Sequence, residues 1–366
     1  MNKTKKIDLM LASLAGLIII IGFLVFSSAS MGLLSRSGAN YTTVLLKQGV
    51  IEIIGLILLF FIAMKIPYKI WQHYATPLFI LALIATALVF VPQIGFSTKG
   101  GTRWIDLGFT TVQPSEFLKL GTVIFLAAYY TKIKQHVTGF ARGFLPLIAV
   151  LAVTGAIILK QPDNGTFMVI FCAAIAIFVA AGGRWFHLFI MAVICVISVG
   201  ALAAYRPYVK DRINTFINPT QDTLGSSYHL RQSLIAVGSG QLAGRGFGQS
   251  VQKFNYLPEP MGDSIFSVFS EDFGFIGSSL LIILYLIFAL RGLRVSDRVP
   301  DQFGRLLGIG IIILIVSQSY INISALIGVI PLTGVPLVFI SQGGTALIMA
   351  LIEAGILLSI SKYSVT

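Results

Sequence analysis

The feature that most constrains this chain is a series of ten apolar blocks, at residues 9–26, 48–64, 74–91, 117–130, 144–159, 165–181, 185–204, 265–290, 306–327 and 339–360, each flanked by polar or charged residues. A helix needs about 20 apolar residues to cross a bilayer. The blocks therefore predict an all-α fold, a polytopic membrane protein with about ten transmembrane helices. Composition agrees, because hydrophobic residues make up 56% of the 366 and charged residues 11%, under half the roughly 25% of a soluble domain. A soluble core could not be covered by so few polar residues. The first block follows Lys3, Lys5 and Lys6, as a signal peptide would, yet its 18 residues exceed the roughly 7–15 of a signal core. It reads as the first span.

The net charge of +12 would suggest nucleic acid in a soluble protein; here the cations lie between apolar blocks and predict orientation instead, with no nucleic-acid partner. Ten spans put both termini on one side. With that side cytoplasmic, inner segments hold fourteen Lys and Arg against six in the short outer ones. The remaining cations lie in one connection of about residues 206–262, and long loops cross largely regardless of charge. The expectation is a multi-pass protein of the cytoplasmic membrane, both termini cytoplasmic, with a large extracytoplasmic loop between helices 7 and 8. Within that loop, Leu230, Leu234 and Val237 have amphipathic-helix spacing. A glycine-rich stretch from Gly238 to Gly248 follows. It lacks the Gly-Lys-Ser/Thr end of a nucleotide loop. Cys172 and Cys195 both sit in apolar blocks and suggest neither a disulfide nor a zinc site.

Ionisable residues in or beside spans are expensive and mark functional candidates. The densest set is Tyr256-Leu-Pro-Glu259-Pro-Met-Gly-Asp263-Ser-Ile-Phe-Ser267-Val-Phe-Ser270-Glu271-Asp272-Phe-Gly274. Pro258 and Pro260 hold off regular helix until about Gly262. At 100° per residue, Ser267, Ser270, Glu271 and Gly274 share a face with Asp263, while Asp272 falls opposite. Two readings follow: a polar groove with a carboxylate at its mouth, or a helix N-cap followed by serines that permit close packing. Glu116 and Lys119, three residues apart after Pro114-Ser115, suit an ion pair at a helix start. Asp163, in Gln161-Pro-Asp163-Asn-Gly-Thr166, suits a helix cap; Glu52 and Glu353 suit interior acids; and Arg245 and Lys253 suit either phosphate binding or a solvated loop.

Taken together, these residues resemble a known family. Tyr256-Leu-Pro-Glu259, Asp263-Ser-Ile-Phe and Glu271-Asp-Phe-Gly274 are similar to the LPE…D-x-I-F…E-[ED]-x-G signature of the SEDS (shape, elongation, division and sporulation) proteins. Further matches are Arg103-Trp-Ile105, Gln113-Pro-Ser-Glu-Phe-Leu-Lys119, Gln161-Pro-Asp163 with Gly165-Thr166, Pro331-Leu-Thr-Gly-Val-Pro336 and Ser341-Gln-Gly-Gly344, in the family's order. The run from Ser250 to Lys253 looks more like the FtsW branch than the RodA branch. Four departures stand out: Met261-Gly262 in place of His-Thr or His-Asn, Ser264 in place of Phe, Gln342 where Tyr is common, and Thr345-Ala346 in place of Ser-Ser.

The resemblance implies a single SEDS-type membrane domain over residues 1–366. It implies a peptidoglycan glycosyltransferase that polymerises lipid II into β-1,4-linked glycan, releasing undecaprenyl pyrophosphate, alongside an FtsI-like class B penicillin-binding protein transpeptidase and other division or elongation machinery. Asp263 takes the position of the essential aspartate, and Glu259, Lys119, Glu116, Arg103 and Asp163 fall on other characteristic positions. On this reading Asp263 is the catalytic base for the acceptor hydroxyl. Arg103, Lys119, Arg245, Lys253, Ser267 and Glu271 join Glu259, Glu116 and Asp163 as substrate-binding candidates. No cofactor is required by the sequence, a divalent cation (Mg or Mn) being an alternative stabiliser of the pyrophosphate. The rival expectations are a lipid II flippase and a non-catalytic scaffold for the transpeptidase.

Overall fold

The computed structural model describes residues 6–35, 40–98, 101–106, 108, 111–205, 216 and 226–365. Most of the 206–262 loop's first third therefore lies outside the described residues, as do Arg206, Lys210 and Arg212. Helices dominate: α1 (Leu9–Ser30), α2 (Tyr41–Lys65), α3 (Lys69–His73), α4 (Ala75–Leu88), α5 (Pro114–Lys132), α6 (Leu145–Lys160), α7 (Asn164–Ala180), α8 (Trp185–Tyr205), α9 (Ser226–Ser239), α10 (Ile265–Asp297), α11 (Gln302–Leu326) and α12 (Gly344–Ser361). Among the described residues, six helical stretches are long and apolar enough to cross a membrane: those containing α1, α2, α6, α10, α11 and α12. Three more (α4, α7 and the start of α8) are apolar but shorter. α5, which carries Glu116 and Lys119, is not among either group. The chain is thus a mainly helical, multi-pass membrane protein.

The tenth apolar block begins at residue 339, but α12 begins only at Gly344. Residues 331–343 run as extended chain and turns, because Pro331 and Pro336 cannot continue a helix and Phe339 takes a positive φ of 65°. The all-α expectation needs a second correction. Between α4 and α5 lie three short antiparallel strands, β1 (Gly95–Thr98), β2 (Gly101–Asp106) and β3 (Thr111–Val112), in that order across the sheet. Phe96 pairs with Trp104 and Ile105 with Val112. Strands so short leave no long apolar run, and aromatic and β-branched residues favour such pairing.

α11 is the central post. It packs against α5, α7 and α10, and its residues are buried along most of its length. α2 lies beside α12. Gly55 of α2 meets Leu351 and Gly355 of α12 meets Leu59, while the Ser359 hydroxyl donates to Ile66 O at 2.7 Å. Positions rise together along both helices, so the two run parallel, which requires an odd number of crossings between them and, with α1, α2 and α12 themselves, an even total.

α1 begins where α12 ends: the Asp8 N–H donates to Ser361 Oγ at 3.0 Å. Asp8 caps α1 by accepting from Leu11 N–H at 2.8 Å and grips Arg291 of α10 through both carboxylate oxygens, at 3.1 and 2.5 Å. Partial burial raises the Asp8 carboxyl, but the hydrogen bonds from Arg291 and Leu11 and the charges of Arg291 and Arg298 outweigh it, leaving it below its ordinary 3.8. A depressed carboxyl stabilises the fold above its unfolded pKa, and that contribution disappears as pH falls through the folded value. Asp8→Asn keeps an acceptor for the cap but loses the charge that pairs with Arg291, and is accordingly expected to cost up to about 1 kcal/mol near neutrality, the value of a partly exposed ion pair, seen as a lower Tm in detergent. The gap from the unmodified protein should close as pH drops below the ordinary carboxylate value.

α10 is interrupted at Gly274, whose φ of 67° and ψ of −165° are not helical. The break frees backbone groups that the glycine-rich stretch satisfies. Arg245 N–H donates to Glu271 O at 3.0 Å and Gly246 N–H to Asp272 O at 2.9 Å, while Phe275 N–H donates to Gln241 O at 2.8 Å. Approach is so close that a Cβ at Gly274 would lie 2.3 Å from Gly244 N. The glycines thus serve backbone packing. Gly274→Ala should cost about 1–3 kcal/mol for the backbone conformation alone, with the collision added, and thermal unfolding of the purified variant measures the loss.

Candidate active site

Asp263 precedes α10, in a turn that starts at Glu259. Gly262 N–H and Ser264 N–H both donate to Glu259 O, at 2.9 and 3.3 Å. Ser264, the N-cap position of α10, makes no side-chain cap bond to the helix; its hydroxyl donates to Pro258 O at 2.7 Å and lies 2.6 Å from His229 Nε2 of α9. The N-cap reading of Asp263 is therefore not what the turn uses. Its side chain is half-buried, with Oδ1 enclosed and Oδ2 facing the extended 331–343 segment, where a Cβ at Gly334 would lie 3.6 Å away. Glu259 is exposed, adopts a positive φ of 48°, and hangs over Gly262, whose Cβ would lie 3.4 Å from Glu259 Oε2. A carboxylate at this end of the bundle is open to one side and backed by protein on the other.

The 331–343 segment gathers the other candidates. Gly165, at the start of α7, abuts Thr333 and Val335. Asp163 caps that helix, accepting from Thr166 N–H at 3.3 Å and from its hydroxyl at 2.9 Å. Arg103, on β2, donates to Gln161 O at 3.1 Å and to Pro162 O, with Asp163 4.0 Å away. Gln113 ties this group to α12, its N–H donating to Thr345 Oγ1 at 3.2 Å and its amide to Asp163 at 3.4 Å. The cap reading of Asp163 matches this geometry, and the side chain of Arg103 is 23% exposed, so its free face can still meet a ligand.

Deeper in the bundle Lys119 and Glu116 pair at 2.7 Å, their side chains 5% and 4% exposed. Lys119 also donates to Gln318 Oε1 at 2.5 Å. With Glu353, Pro336, Leu337 and Ser341 they line a cavity with room for little more than one water. One ion pair and a further acid, Glu353, share that cavity, in a setting where unpaired charge is costly.

The polar face read along span eight is covered by the chain itself and does not line an open groove. Ser267 is buried, its hydroxyl without a partner among the described residues. Glu271 is fully buried and takes Ser250 Oγ at 2.6 Å and the N–H groups of Val251 and Gln252 at 3.2 and 3.1 Å. Arg245 joins it at 3.3 Å. Asp272, expected on the far side, holds the same loop through Ser250 N–H at 2.7 Å and Gly248 N–H at 3.3 Å, and accepts from Ser28 of α1. Lys253 is not solvated: it is 1% exposed and donates to Gly248 O at 2.7 Å and Ser28 Oγ at 3.4 Å. Burial pushes its ammonium down, opposed by Asp272 and Glu271. Only Asp263 falls outside the helix, which starts at Ile265, and both acids turn to the loop that crosses the Gly274 break. α9 does form, yet Leu234 is exposed and the buried stripe is Leu230, Ser233 and Ala236. The cysteines are free. Among the described residues, no three His, Cys, Asp or Glu converge as metal ligands. Sequence reasoning missed Gln318 and Asn322, which are polar and four apart in an apolar block and carried a readable signal.

A mainly helical, multi-pass bundle with a half-buried carboxylate at one end and a buried ion pair within it defines the chain as a multi-pass membrane protein. The profile of the FtsW, RodA and SpoVE cell cycle proteins matches residues 8–366, and the chain belongs to that family. It is 38% identical over 363 residues to stage V sporulation protein E of Bacillus subtilis (strain 168), covering 99% of each chain. It is 34% identical over 361 residues to the probable peptidoglycan glycosyltransferase FtsW of Geobacter metallireducens, covering 99% of this chain and 96% of that one. Among solved structures, it superposes with a TM-score of 0.80 at 25% identity, over 97% of each chain, on a component of a peptidoglycan synthase complex studied for the coordination of polymerization and crosslinking. Thermus thermophilus RodA matches with a TM-score of 0.70 at 25% identity, over 98% of each chain.

Proposed function

We propose that this protein is a peptidoglycan glycosyltransferase that polymerises lipid II in cell-wall synthesis, with Asp263 as general base. Family membership supports the activity, and one observation carries the residue assignment: the Asp263 carboxylate is half-buried at the bundle end and faces the segment where the Arg103–Asp163 group and the Glu116–Lys119 pair also meet. Lipid II has a bilayer-anchored pyrophosphate leaving group and a sugar alcohol just outside the bilayer, so the base belongs at the membrane edge. Asp263 accepts the proton of the acceptor 4-hydroxyl as its oxygen attacks the donor's anomeric carbon. The C–O bond to pyrophosphate breaks as the new one forms, which inverts the centre and gives a β-1,4 link. The exposed face of Arg103 steadies the departing charge. Glu259, beside the turn, orients the sugar.

Ten spans, termini in the cytoplasm and the 206–262 loop outside complete the reading. The parallel run of α2 and α12 and the meeting of Asp8 with Ser361 support an even number of crossings. A class B transpeptidase is the partner that crosslinks the product. The interior charges favour a second reading as a flippase. Purified protein in liposomes separates the two: a polymerase lengthens labelled glycan and releases undecaprenyl pyrophosphate, whereas a flippase moves lipid II between leaflets without lengthening it. Transfer between leaflets with no polymer, in the presence of the transpeptidase, rejects the enzyme reading.

A further inference from the structure

Three consecutive carbonyls of the turn that carries Asp263 are captured. Met261 O accepts from Gln342 N–H at 2.7 Å, Gly262 O from Ser341 Oγ at 2.7 Å, and Asp263 O from Asn322 Nδ2 at 2.7 Å. The first two donors come from the irregular 331–343 segment. The third comes from α11, the buried central helix, and is the one that ties the turn to a rigid element. Asn322 spends its second amide proton on Val335 O, at 2.8 Å. Two carbonyls facing one amide fix its orientation, since only the nitrogen can serve both.

One helical turn earlier, Gln318 repeats the arrangement. Its Nε2 donates to Pro336 O at 3.0 Å, and its Oε1 must face the Lys119 ammonium, 2.5 Å away. Neighbouring carbonyls of one segment, Val335 and Pro336, are thus pinned by two side chains of α11 that are 3% and 5% exposed. A connected chain runs from Glu116 through Lys119, Gln318 and the 335–336 peptide to Asn322 and the backbone of Asp263.

We propose that Asn322 is the positioning residue of the catalytic turn, with Gln318 coupling the same segment to the buried ion pair. The inference rests on Asp263 being the base. Asn322 touches neither substrate nor the reacting atoms; it sets the direction in which the Asp263 carboxylate leaves the turn. Displacing a base by about 1 Å costs up to about 10²-fold in rate.

The test is polymerisation of lipid II by the full chain, reconstituted with its transpeptidase. Asn322→Leu keeps the size but cannot donate. The expected result is a kcat lowered about 10- to 100-fold per folded molecule, KM for lipid II nearly unchanged, and a displaced acidic limb of the rate–pH profile. Gln318→Leu should move the same quantities less. If Asn322→Leu does not fold, Ser341→Ala removes the hydroxyl that donates to Gly262 O and accepts from Leu337 N–H, and should lower kcat several-fold, again at constant KM. Folded Asn322→Leu, or Ser341→Ala in its place, with the original kcat and the original acidic limb overturns the proposal. Asp263→Asn is assayed in parallel. If it is inactive while Asn322→Leu is normal, only the positioning role falls; if it polymerises normally, the base assignment beneath falls as well.

Discussion

Asp263→Asn should yield a protein that folds and inserts normally yet polymerises lipid II about 10²- to 10⁴-fold more slowly, the range for losing a general base. The substitution keeps the shape of the side chain and removes only its capacity to take a proton. The backbone contacts that hold the turn use the carbonyls of residues 261–263 and do not depend on the carboxylate. Stability should therefore change little, and a melting curve beside the rate separates chemistry from folding. Asp263→Glu sharpens the point, because it retains an acid but moves it by one methylene, and its rate should fall between the two. Glycan length on gels and undecaprenyl pyrophosphate release provide two independent readouts. Near-normal polymer from Asp263→Asn would falsify the assignment.

The second large effect concerns Lys119. Its ammonium lies among Glu116, Gln318 and Glu353 in the bundle interior. Lys119→Ala would leave the Glu116 carboxylate buried with no cation, and breaking a buried pair by removing one partner costs about 3–5 kcal/mol. That is a large share of the roughly 5–15 kcal/mol that keeps a domain folded, so the variant should accumulate poorly and melt early. Restoring charge balance with Lys119→Met, Glu116→Gln and Glu353→Gln together should recover the fold. Melting temperatures of the single and triple variants in detergent decide it. A single variant as stable as the unmodified protein would mean that the cluster carries no net charge stress.

The apolar blocks were legible as helices because burial in lipid requires little more than length and apolarity, and the sequence displays both. The motif residues were legible as a group for the same reason, since polar side chains stand out against that background. What resisted reading was everything that depends on one segment meeting another. Lys253 looks solvated until Ser28 of α1, more than two hundred positions away, closes over it. Glu271 and Asp272 diverge on an ideal helix and converge only because the loop wraps the break at Gly274. The small sheet was hidden because its strands are two to six residues long. Gln318 and Asn322 were visible as polar residues, but their partners are backbone carbonyls, which no side-chain pattern announces.

The side-by-side course of α2 and α12 bears on how the molecule is made. α2 leaves the ribosome early, while the surface it rests against is among the last to be synthesised. Until then Glu52, buried in the finished bundle, has to be sheltered by other means, such as an insertion chaperone or a temporary helix partner. Closure of the bundle is thus a late event with long-range contacts, the slow kind.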